Sequence, residues 1–462
     1  MPAQSSTVRL PAVFDAFVLG SPVSVIARGT IERFFNPALL DEWFKANAVG
    51  QYTRKVLFST LVHLTASVVI GSRKSVRAAY EATPEEMGGS LVAVYQKLQR
   101  IDPGTSAALV RFAAKEAAVA LRALNGEQEP ALPGYRVKLL DGNCLASSQK
   151  RIKELRGLKA GPLPGKSLVV LDPVLRLPLD VFPCEDGYTQ ERALLQDVLP
   201  TVTAGDVWIA DRNFCTRDFL TGIAARGGFF IIRQHGNLPV EAVGELQPVG
   251  EGPTGTISEQ QIVVLHDNGD RETCRRIHIR IEKETRDGDD YVAVLTNLPR
   301  EAVDAVQIAS LYRDRWKIET AFLELAMHLR SEIDTLGYPK AALFGFCVAL
   351  VCYIVMAVLK GALGAAHGPD TIPNLSNYFL ADEIESIERG MHIAIPDKHW
   401  KVFRKFSPAD FALVLLALAQ AVNMRRFRKV PTRPRKKQAE RLDQPASSHV
   451  STARILALRR GQ

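Results

Sequence analysis

The segment Ala341–Leu359 holds 19 residues without a charge, and Lys340 and Lys360 stand on either side of it. A helix of this length and composition is long enough to cross a lipid bilayer. The same pattern is typical of a helix that is buried on all sides in the core of a large protein. The segment therefore predicts either a membrane span or a central core helix, and the rest of the chain must pack around it.

The composition is that of a globular protein. Of the 462 residues, 47% are hydrophobic and 23% are charged, which excludes a disordered chain and predicts about three domains. The six cysteines include no CxxC pair, so the sequence predicts neither a zinc ribbon nor a redox motif and fits a reducing cytoplasm. The N-terminus lacks the charged and apolar regions of a signal peptide.

The net charge of +8 is concentrated near the C-terminus. Residues 424–441 contain nine basic residues and one acidic residue, so they carry +8 and the remaining residues sum to zero. A basic run with interspersed prolines predicts a solvated arm. Such an arm either neutralises the phosphates of a nucleic acid or only keeps the protein soluble, and the sequence leaves both interpretations open.

The first third of the chain has a helical pattern. Apolar residues recur at spacings of three and four from about Val13 to Leu124. Within this region, two predicted helices flank a turn at Met87-Gly88-Gly89, and Ser90 is a candidate N-cap of the second helix. The pair is either a DNA-reading helix-turn-helix or an ordinary packed pair of helices.

After residue 130 the pattern changes to strands that alternate with helices. Three strands, a helix, a strand, a helix and a fifth strand are predicted up to Arg233, which describes a mixed sheet flanked by helices. Residues 236–290 lack helical periodicity and predict a β-rich insertion. A strand at about residues 291–295 and a long helix from about Asp304 to Arg330 follow the insertion.

Three acidic residues stand out at the ends of these elements. Asp141 and Asp211 each follow a predicted strand, at the edge where open α/β sheets gather their functional groups. With about 100° of rotation per helical residue, Tyr312, Arg315 and Glu319 fall within about 60° of one another on one helix face. Each feature has an ordinary alternative, because aspartates cap turns and an Arg–Glu pair four residues apart is common on solvated helix faces.

In combination, these residues resemble the DDE transposases of bacterial insertion sequences, in the branch with a Tyr-Arg-Glu-Lys signature. The resemblance covers residues 130–359 and rests on DGN at Asp141, DRNF at Asp211, LTNLP at Leu295 and YRDRWKIE at Tyr312. It implies an α/β, RNase H-like mixed sheet flanked by helices and interrupted by the β-rich insertion. An N-terminal helical domain and a basic C-terminal tail complete the expected fold.

The resemblance also implies a division into domains. Residues 1–130 would form the N-terminal helical domain, with a DNA-binding role open to it, and residues 131–235 and 291–365 would form the catalytic domain. Residues 236–290 would be the insertion, residues 366–423 a C-terminal helical region and residues 424–462 the basic tail. The apolar run would then be a helix packed behind the catalytic sheet, so no membrane partner is expected.

By resemblance, Asp141, Asp211 and Glu319 are both the catalytic residues and the ligands of two Mg²⁺ ions, for which Mn²⁺ can substitute. Such ions prefer carboxylate oxygens and clamp the attacking and leaving oxygens of a phosphodiester. The implied partners are double-stranded DNA, as element ends and target, and a second copy of the chain in a synaptic homodimer. The implied location is the bacterial cytoplasm, at the nucleoid. The expected DNA-binding residues are Tyr312, Arg315, Lys150, Arg151, Lys153 and Arg156.

One signature position differs from the family pattern. The lysine expected seven residues after Glu319 is replaced by Ala326. A phosphate contact would therefore be missing, which leaves open a catalytically decayed or domesticated copy that binds DNA without cutting it.

Overall fold

The computed structural model describes residues 10–51, 55–145, 163–252, 255–265, 271–281 and 290–430. The helices before the sheet are α1 (Asp15–Gly20), α2 (Pro22–Phe34), α3 (Pro37–Asn47), α4 (Phe58–Val69), α5 (Val76–Ala82), α6 (Leu91–Leu98) and α7 (Pro103–Ala123). The sheet region contains β1 (Arg136–Leu145), β2 (Gly165–Asp172), β3 (Leu177–Cys184), α8 (Leu195–Val198), β4 (Asp206–Ala210), α9 (Arg217–Ala224), β5 (Phe229–Arg233), β6 (Val240–Gly252), β7 (Gly255–Leu265), β8 (Arg271–Ile281) and β9 (Tyr291–Thr296). The helices after it are α10 (Ala305–Arg313), α11 (Trp316–His328), α12 (Pro339–His367), α13 (Asn377–Ala394), α14 (Asp397–Trp400), α15 (Val402–Lys405) and α16 (Pro408–Gln420).

The strands form one mixed nine-stranded sheet in the order β3-β2-β1-β4-β5-β9-β8-β7-β6. Strands β1, β2 and β3 pair antiparallel, whereas β4 is parallel to β1 and β5 is parallel to β4. The predicted mixed sheet is confirmed. The segment predicted to be β-rich forms β6, β7 and β8, which extend the same sheet because β8 pairs with β9 and β9 pairs with β5.

The two faces of the sheet are covered by different helices. Successive strand residues point to opposite faces, so Leu139 and Ile209 join the core shared with α7 and α12, whereas Leu140 and Trp208 join the core shared with α9. The larger core also contains the apolar residues of the N-terminal and C-terminal helices. The functional groups of β1 and β4 can therefore be assigned to one face or the other from their position in the strand.

The apolar segment forms most of α12, a 29-residue helix that is the one helix among the described residues long and apolar enough to cross a membrane. Of its most apolar window of 18 residues, 89% is buried inside the protein, where α12 packs on α2, α4, α7, α16 and β3. The predicted core helix is confirmed. Its near-uniform hydrophobicity follows from contact with neighbours on all sides.

The turn predicted before Ser90 is present, and the Ser90 side chain caps α6 by accepting a hydrogen bond from the Ala93 amide. Gly88 occupies the left-handed region at φ 64°. Lys97, the cation of α6, donates to the Val56 carbonyl oxygen and lies over the Phe44 ring. Because this lysine is used in packing, the contacts favour an ordinary helix pair.

Three predictions about elements are wrong in detail. Strand β1 continues through Asp141 to Leu145, because residues 139–145 pair with β2. The helix predicted from Asp304 to Arg330 is two helices, α10 and α11, since Asp314 and Arg315 make hydrogen bonds typical of a tighter turn between them. The predicted basic arm does not begin solvated at residue 424, because the Phe427 side chain is buried and Arg426 pairs with Glu383 at 2.9 Å.

Candidate active site

Asp141 lies within β1, just beyond the part of this strand that pairs with β4. The last residues paired between these parallel strands are Leu139 and Ile209, so Asp141 and Asp211 are each two residues beyond that pair. They share the face of the sheet that Leu139 and Ile209 occupy, since side chains alternate along a strand. The register of β1 on β4 therefore brings the two predicted aspartates side by side.

Backbone amides hold both carboxylates. The Gly142 amide donates to Oδ1 of Asp141 at 2.9 Å. Asp211 caps the short 3₁₀ helix Arg212–Phe214, and its Oδ1 accepts a hydrogen bond from the Asn213 amide at 2.8 Å. The turn-forming role that aspartates often have is thus real for Asp211, and it also fixes the direction of the carboxylate.

The side chain of Arg315 connects Glu319 of α11 with Asp141 of β1. Its guanidinium lies 3.3 Å from Oδ2 of Asp141 and 2.7 Å from Oε1 of Glu319, and only 9% of the residue is exposed. The alternative of an ion pair on a solvated helix face is wrong, because Arg315 is buried and contacts two carboxylates from distant parts of the chain. Asp141, Arg315 and Glu319 therefore form one connected group.

Tyr312 lies beside this group near the end of α10. Burial raises the pKa of its hydroxyl, and the positive charges of Arg315 and Arg233 act in the opposite direction. The ring packs against the main hydrophobic core. The predicted face of Tyr312, Arg315 and Glu319 is thus assembled, although a break between α10 and α11 separates its members.

The carboxylates influence one another electrostatically. Burial raises the pKa of Asp141 to about 7, although Arg315 and the Gly142 amide lower it, and the charges of Asp211 and Glu319 raise it further. Like charges brought together in a partly buried site favour a bound proton or cation. The oxygen-only donor set suits a hard divalent cation. Among the described residues, no three acidic, histidine or cysteine side chains stand close enough together to hold a metal ion directly.

Several predicted residues cannot be placed. Lys150, Arg151, Lys153 and Arg156 lie outside the described residues, as does the basic tail from residue 431 onward. Position 326 belongs to α11, but the side chain of Ala326 is also outside the described part of the chain.

A fourth carboxylate, which the sequence did not indicate, stands against this region. Glu191 is the first residue of the 3₁₀ helix Glu191–Leu194, and its Oε2 accepts a hydrogen bond from the Asn213 side chain at 2.7 Å. Its other carboxylate oxygen lies against Gly142. An acidic residue at the start of a helix is ordinary, so only the long-range contacts distinguish this one.

Comparison with known proteins identifies the region that contains most of this site. Residues 166–354 match the family model described as "Transposase DDE domain". The matched residues make up less than half of the chain. This match confirms the resemblance to DDE transposases of insertion sequences, while the Tyr-Arg-Glu-Lys branch stays a prediction. The transposase domain includes Asp211 and Glu319, whereas Asp141 precedes the matched region.

Two individual proteins are also similar. "Putative transposase y4zB" of Sinorhizobium fredii (strain NBRC 101917 / NGR234) is 27% identical over 158 residues, which are 34% of this chain and 43% of that protein. The match thus spans less than half of that relative. A solved structure of the piggyBac transposase in a synaptic complex with hairpin DNA has a TM-score of 0.37 and 9% identity, covering 82% of this chain and 84% of that one.

Proposed function

We propose that this chain is the transposase of an insertion sequence. It would bind the terminal inverted repeats, cut DNA phosphodiesters and join the freed 3′-hydroxyl to target DNA. The observation that carries the proposal is the connected group of Asp141, Arg315 and Glu319 beside Asp211, in a chain that contains a transposase DDE domain.

The strand order supports an RNase H-like catalytic fold. Strands β1, β2 and β3 are antiparallel, and β4 and β5 follow in parallel on the other side of β1. The β-rich insertion lies between Asp211 and Glu319, in the order that the family resemblance implies. The grouping of Tyr312, Arg315 and Glu319 supports the Tyr-Arg-Glu-Lys branch.

Asp141, Asp211 and Glu319 would hold the divalent ions, Mg²⁺ or in its place Mn²⁺. When bound, these ions would activate the attacking oxygen and stabilise the leaving oxygen of the phosphodiester. The donor chemistry fits, because the three groups are carboxylates from β1, the end of β4 and α11 on one face of the sheet, and they would have to move closer together to share an ion. In the metal-free protein, Arg315 supplies the positive charge between Asp141 and Glu319.

Arg315 and Tyr312 would contact DNA beside the scissile phosphate. A guanidinium donates two parallel hydrogen bonds to a phosphate, and a tyrosine stacks on a base or donates its hydroxyl proton in a hydrogen bond. Lys150, Arg151, Lys153 and Arg156 follow β1 directly in sequence and would add phosphate contacts. The partners are double-stranded DNA and a second copy of the chain, at the nucleoid in the cytoplasm.

A second candidate function is a decayed or domesticated transposase that binds DNA without cutting it. Ala326 favours it, because the signature lysine and its phosphate contact are absent from that position. Undiminished binding of this protein to the element ends, without nicking in Mg²⁺ or Mn²⁺, would select this function.

The experiment uses a supercoiled plasmid that carries the DNA flanking the coding sequence on both sides. Wild type should nick or excise this DNA only when Mg²⁺ or Mn²⁺ is present. Asp211→Ala should bind the same DNA in a gel-shift assay and leave it intact. Asp218→Asn removes an exposed charge in the first turn of α9 and should cut like wild type. Cutting by Asp211→Ala would refute the assignment of this residue.

A further inference from the structure

The space beside the glycine that follows Asp141 is occupied by the carboxylate of Glu191. A Cβ atom at position 142 would lie 2.2 Å from Oε1 of Glu191 and 2.4 Å from its Cδ. Gly142 lies inside β1 and has no positive φ, so its backbone would accept any residue. A side chain at position 142 would therefore displace the Glu191 carboxylate, although the backbone conformation there does not need a glycine.

The same carboxylate reaches the turn that contains Asp211. Oε2 of Glu191 accepts a hydrogen bond from Nδ2 of Asn213 at 2.7 Å, and the Asn213 amide donates to Oδ1 of Asp211 at 2.8 Å. On the strand side, the Gly142 amide donates to Oδ1 of Asp141. One side chain thus contacts the two residues, Gly142 and Asn213, whose amides orient the two aspartates.

We infer that Glu191 is a positioning residue, which sets the Asp211 carboxylate against that of Asp141 by clamping Asn213 over Gly142. This inference rests on the proposed function and assigns Glu191 a role through its neighbours. Orientation of this kind matters because ligands that are held by a second layer of hydrogen bonds bind metal in a fixed geometry.

The position of Glu191 argues against direct contact with the metal or DNA. Gly142 points to the same face as Leu140, which packs on the α9 side of the sheet, whereas Asp141 points to the face of α11. Glu191 therefore stands on the opposite side of β1 from the three carboxylates. To hold Asn213 in place, Glu191 needs a hydrogen-bond acceptor and does not need a negative charge.

The first test distinguishes the acceptor oxygen of the Glu191 side chain from its negative charge. Glu191→Ala should lower Mg²⁺-dependent nicking about 10- to 100-fold and raise the Mg²⁺ concentration for half-maximal rate, which is the usual effect of removing such a partner. Glu191→Gln keeps an acceptor oxygen and should nick within about twofold of wild type. Asn213→Ala should match Glu191→Ala, and the double variant should be no worse than either. Glu85→Ala, at an exposed residue, is the matched control.

Two results would overturn the inference. Nicking by Glu191→Ala at the wild-type rate and Mg²⁺ dependence would show that Asp211 needs no clamp. Loss of nicking in Glu191→Gln equal to that in Glu191→Ala would show that the charge itself acts, so that Glu191 would be a ligand rather than a positioning residue.

A second test needs no catalysis. Gly142→Ala should lower the melting temperature, because the new methyl group displaces the Glu191 carboxylate. Adding Glu191→Ala removes the clash. The double variant should therefore have the same melting temperature as Glu191→Ala alone, not a lower one. Mn²⁺ affinity, followed by electron paramagnetic resonance, should fall about 10- to 100-fold in Glu191→Ala and stay unchanged in Glu191→Gln.

The two tests separate the inference from the proposed function. A wild type that nicks no plasmid contradicts the proposed function, while melting temperatures and Mn²⁺ affinities still decide on the clamp. Additive decreases of melting temperature in Gly142→Ala/Glu191→Ala, or equal Mn²⁺ affinities in all variants, would overturn the clamp.

Discussion

Arg315 places a positive charge between two carboxylates of the candidate site. It is nearly buried and lies between Asp141 and Glu319. A buried charge without its partner is costly, because desolvation is no longer offset. Under the proposed function, a divalent cation would compensate the same charges as this guanidinium, so a bound cation would offset part of the loss of Arg315.

Arg315→Ala tests this compensation. Without divalent metal, we expect the free energy of unfolding to fall by about 1.5 to 3 kcal/mol, the usual range for hydrogen bonds to charged groups. Added Mg²⁺ should restore part of this stability. The free energy of unfolding of Arg315→Lys should lie between those of wild type and Arg315→Ala. Urea unfolding with and without Mg²⁺ measures both effects.

The matched control is Lys317→Ala, which breaks an exposed pair with Asp314 at 2.7 Å. Such surface pairs contribute about 0 to 1 kcal/mol, so little change is expected. A destabilisation by Arg315→Ala no larger than that of this control would show that the guanidinium does not stabilise the carboxylates.

His63 gives a prediction about pH that is independent of the active site. It lines a mostly apolar cavity of about 80 Å³, and its Nε2 lies 2.9 Å from the Phe35 carbonyl oxygen. Burial, helped by Arg28, lowers the pKa of His63 to about 4 from 6.5. Between these values the unfolded state binds more protons, so the free energy of unfolding falls as the pH decreases from 6.5 to 4, by at most about 3 kcal/mol.

His63→Gln should remove this part of the acid sensitivity. Urea unfolding of both proteins at pH 7, 5.5 and 4.5 measures the difference, which should grow in favour of the variant as the pH decreases. Parallel pH profiles would contradict the assignment of a neutral, buried imidazole to His63.

At the level of elements, periodic patterns predicted most of the fold. The uncharged run from Ala341 marked α12, and short apolar runs marked strands β4 and β5 on either side of Asp211. What the sequence did not predict depends on distant partners. Gly142 and Asn143 resemble a turn, but pairing with β2 keeps them in β1. Glu191 could not be predicted from the sequence, because its contacts with Gly142 of β1 and with Asn213 form only in the folded protein.

A pair of glycines shows how packing reverses a helix propensity. Both Gly29 in α2 and Gly390 in α13 are helical, and alanine is favoured over glycine in a helix by about 1 kcal/mol. A Cβ at position 390 would meet open space, whereas one at position 29 would lie 2.4 Å from the buried ring of Phe403. The same substitution should therefore have opposite effects at these two sites.

We expect Gly390→Ala to raise the free energy of unfolding by about 0.5 to 1 kcal/mol. Gly29→Ala should lower it by about 1 to 3 kcal/mol, because the contact between α2 and α15 is overpacked. Phe403→Leu, added to Gly29→Ala, should cost less than it does in wild type. Stabilisation by Gly29→Ala in chemical unfolding would show that α15 does not pack on α2 as described.

For the whole molecule, the position of the excess charge matters more than its total. Residues 431–462 contain eight basic and two acidic residues, so they carry +6 of the net +8, and residues 1–430 carry the remaining +2. The chain just before this segment is fastened to the body. The Ser376 amide donates to the Phe427 carbonyl oxygen at 2.7 Å, and the Lys429 amide donates to that of Asn374 at 2.8 Å.

Two truncations separate charge from fold. A chain that ends at residue 430 keeps these hydrogen bonds, so its melting temperature should equal that of the full chain, while its affinity for DNA should fall. For every phosphate that the tail no longer neutralises, the dependence of log affinity on log salt becomes shallower by about 0.9, and up to eight cations are removed. Fluorescence anisotropy between about 50 and 200 mM salt measures that slope.

A chain that ends at residue 423 also lacks the buried Phe427 and the pair of Arg426 with Glu383, so it should melt at a lower temperature. An unchanged salt dependence after truncation at residue 430 would contradict a role of the basic segment in DNA binding. The charge of the tail would then serve solubility, and DNA would have to be held by cations nearer the carboxylates. Arg315 and the stretch that follows β1 would become the groups to test next, since they are the predicted cationic contacts that remain.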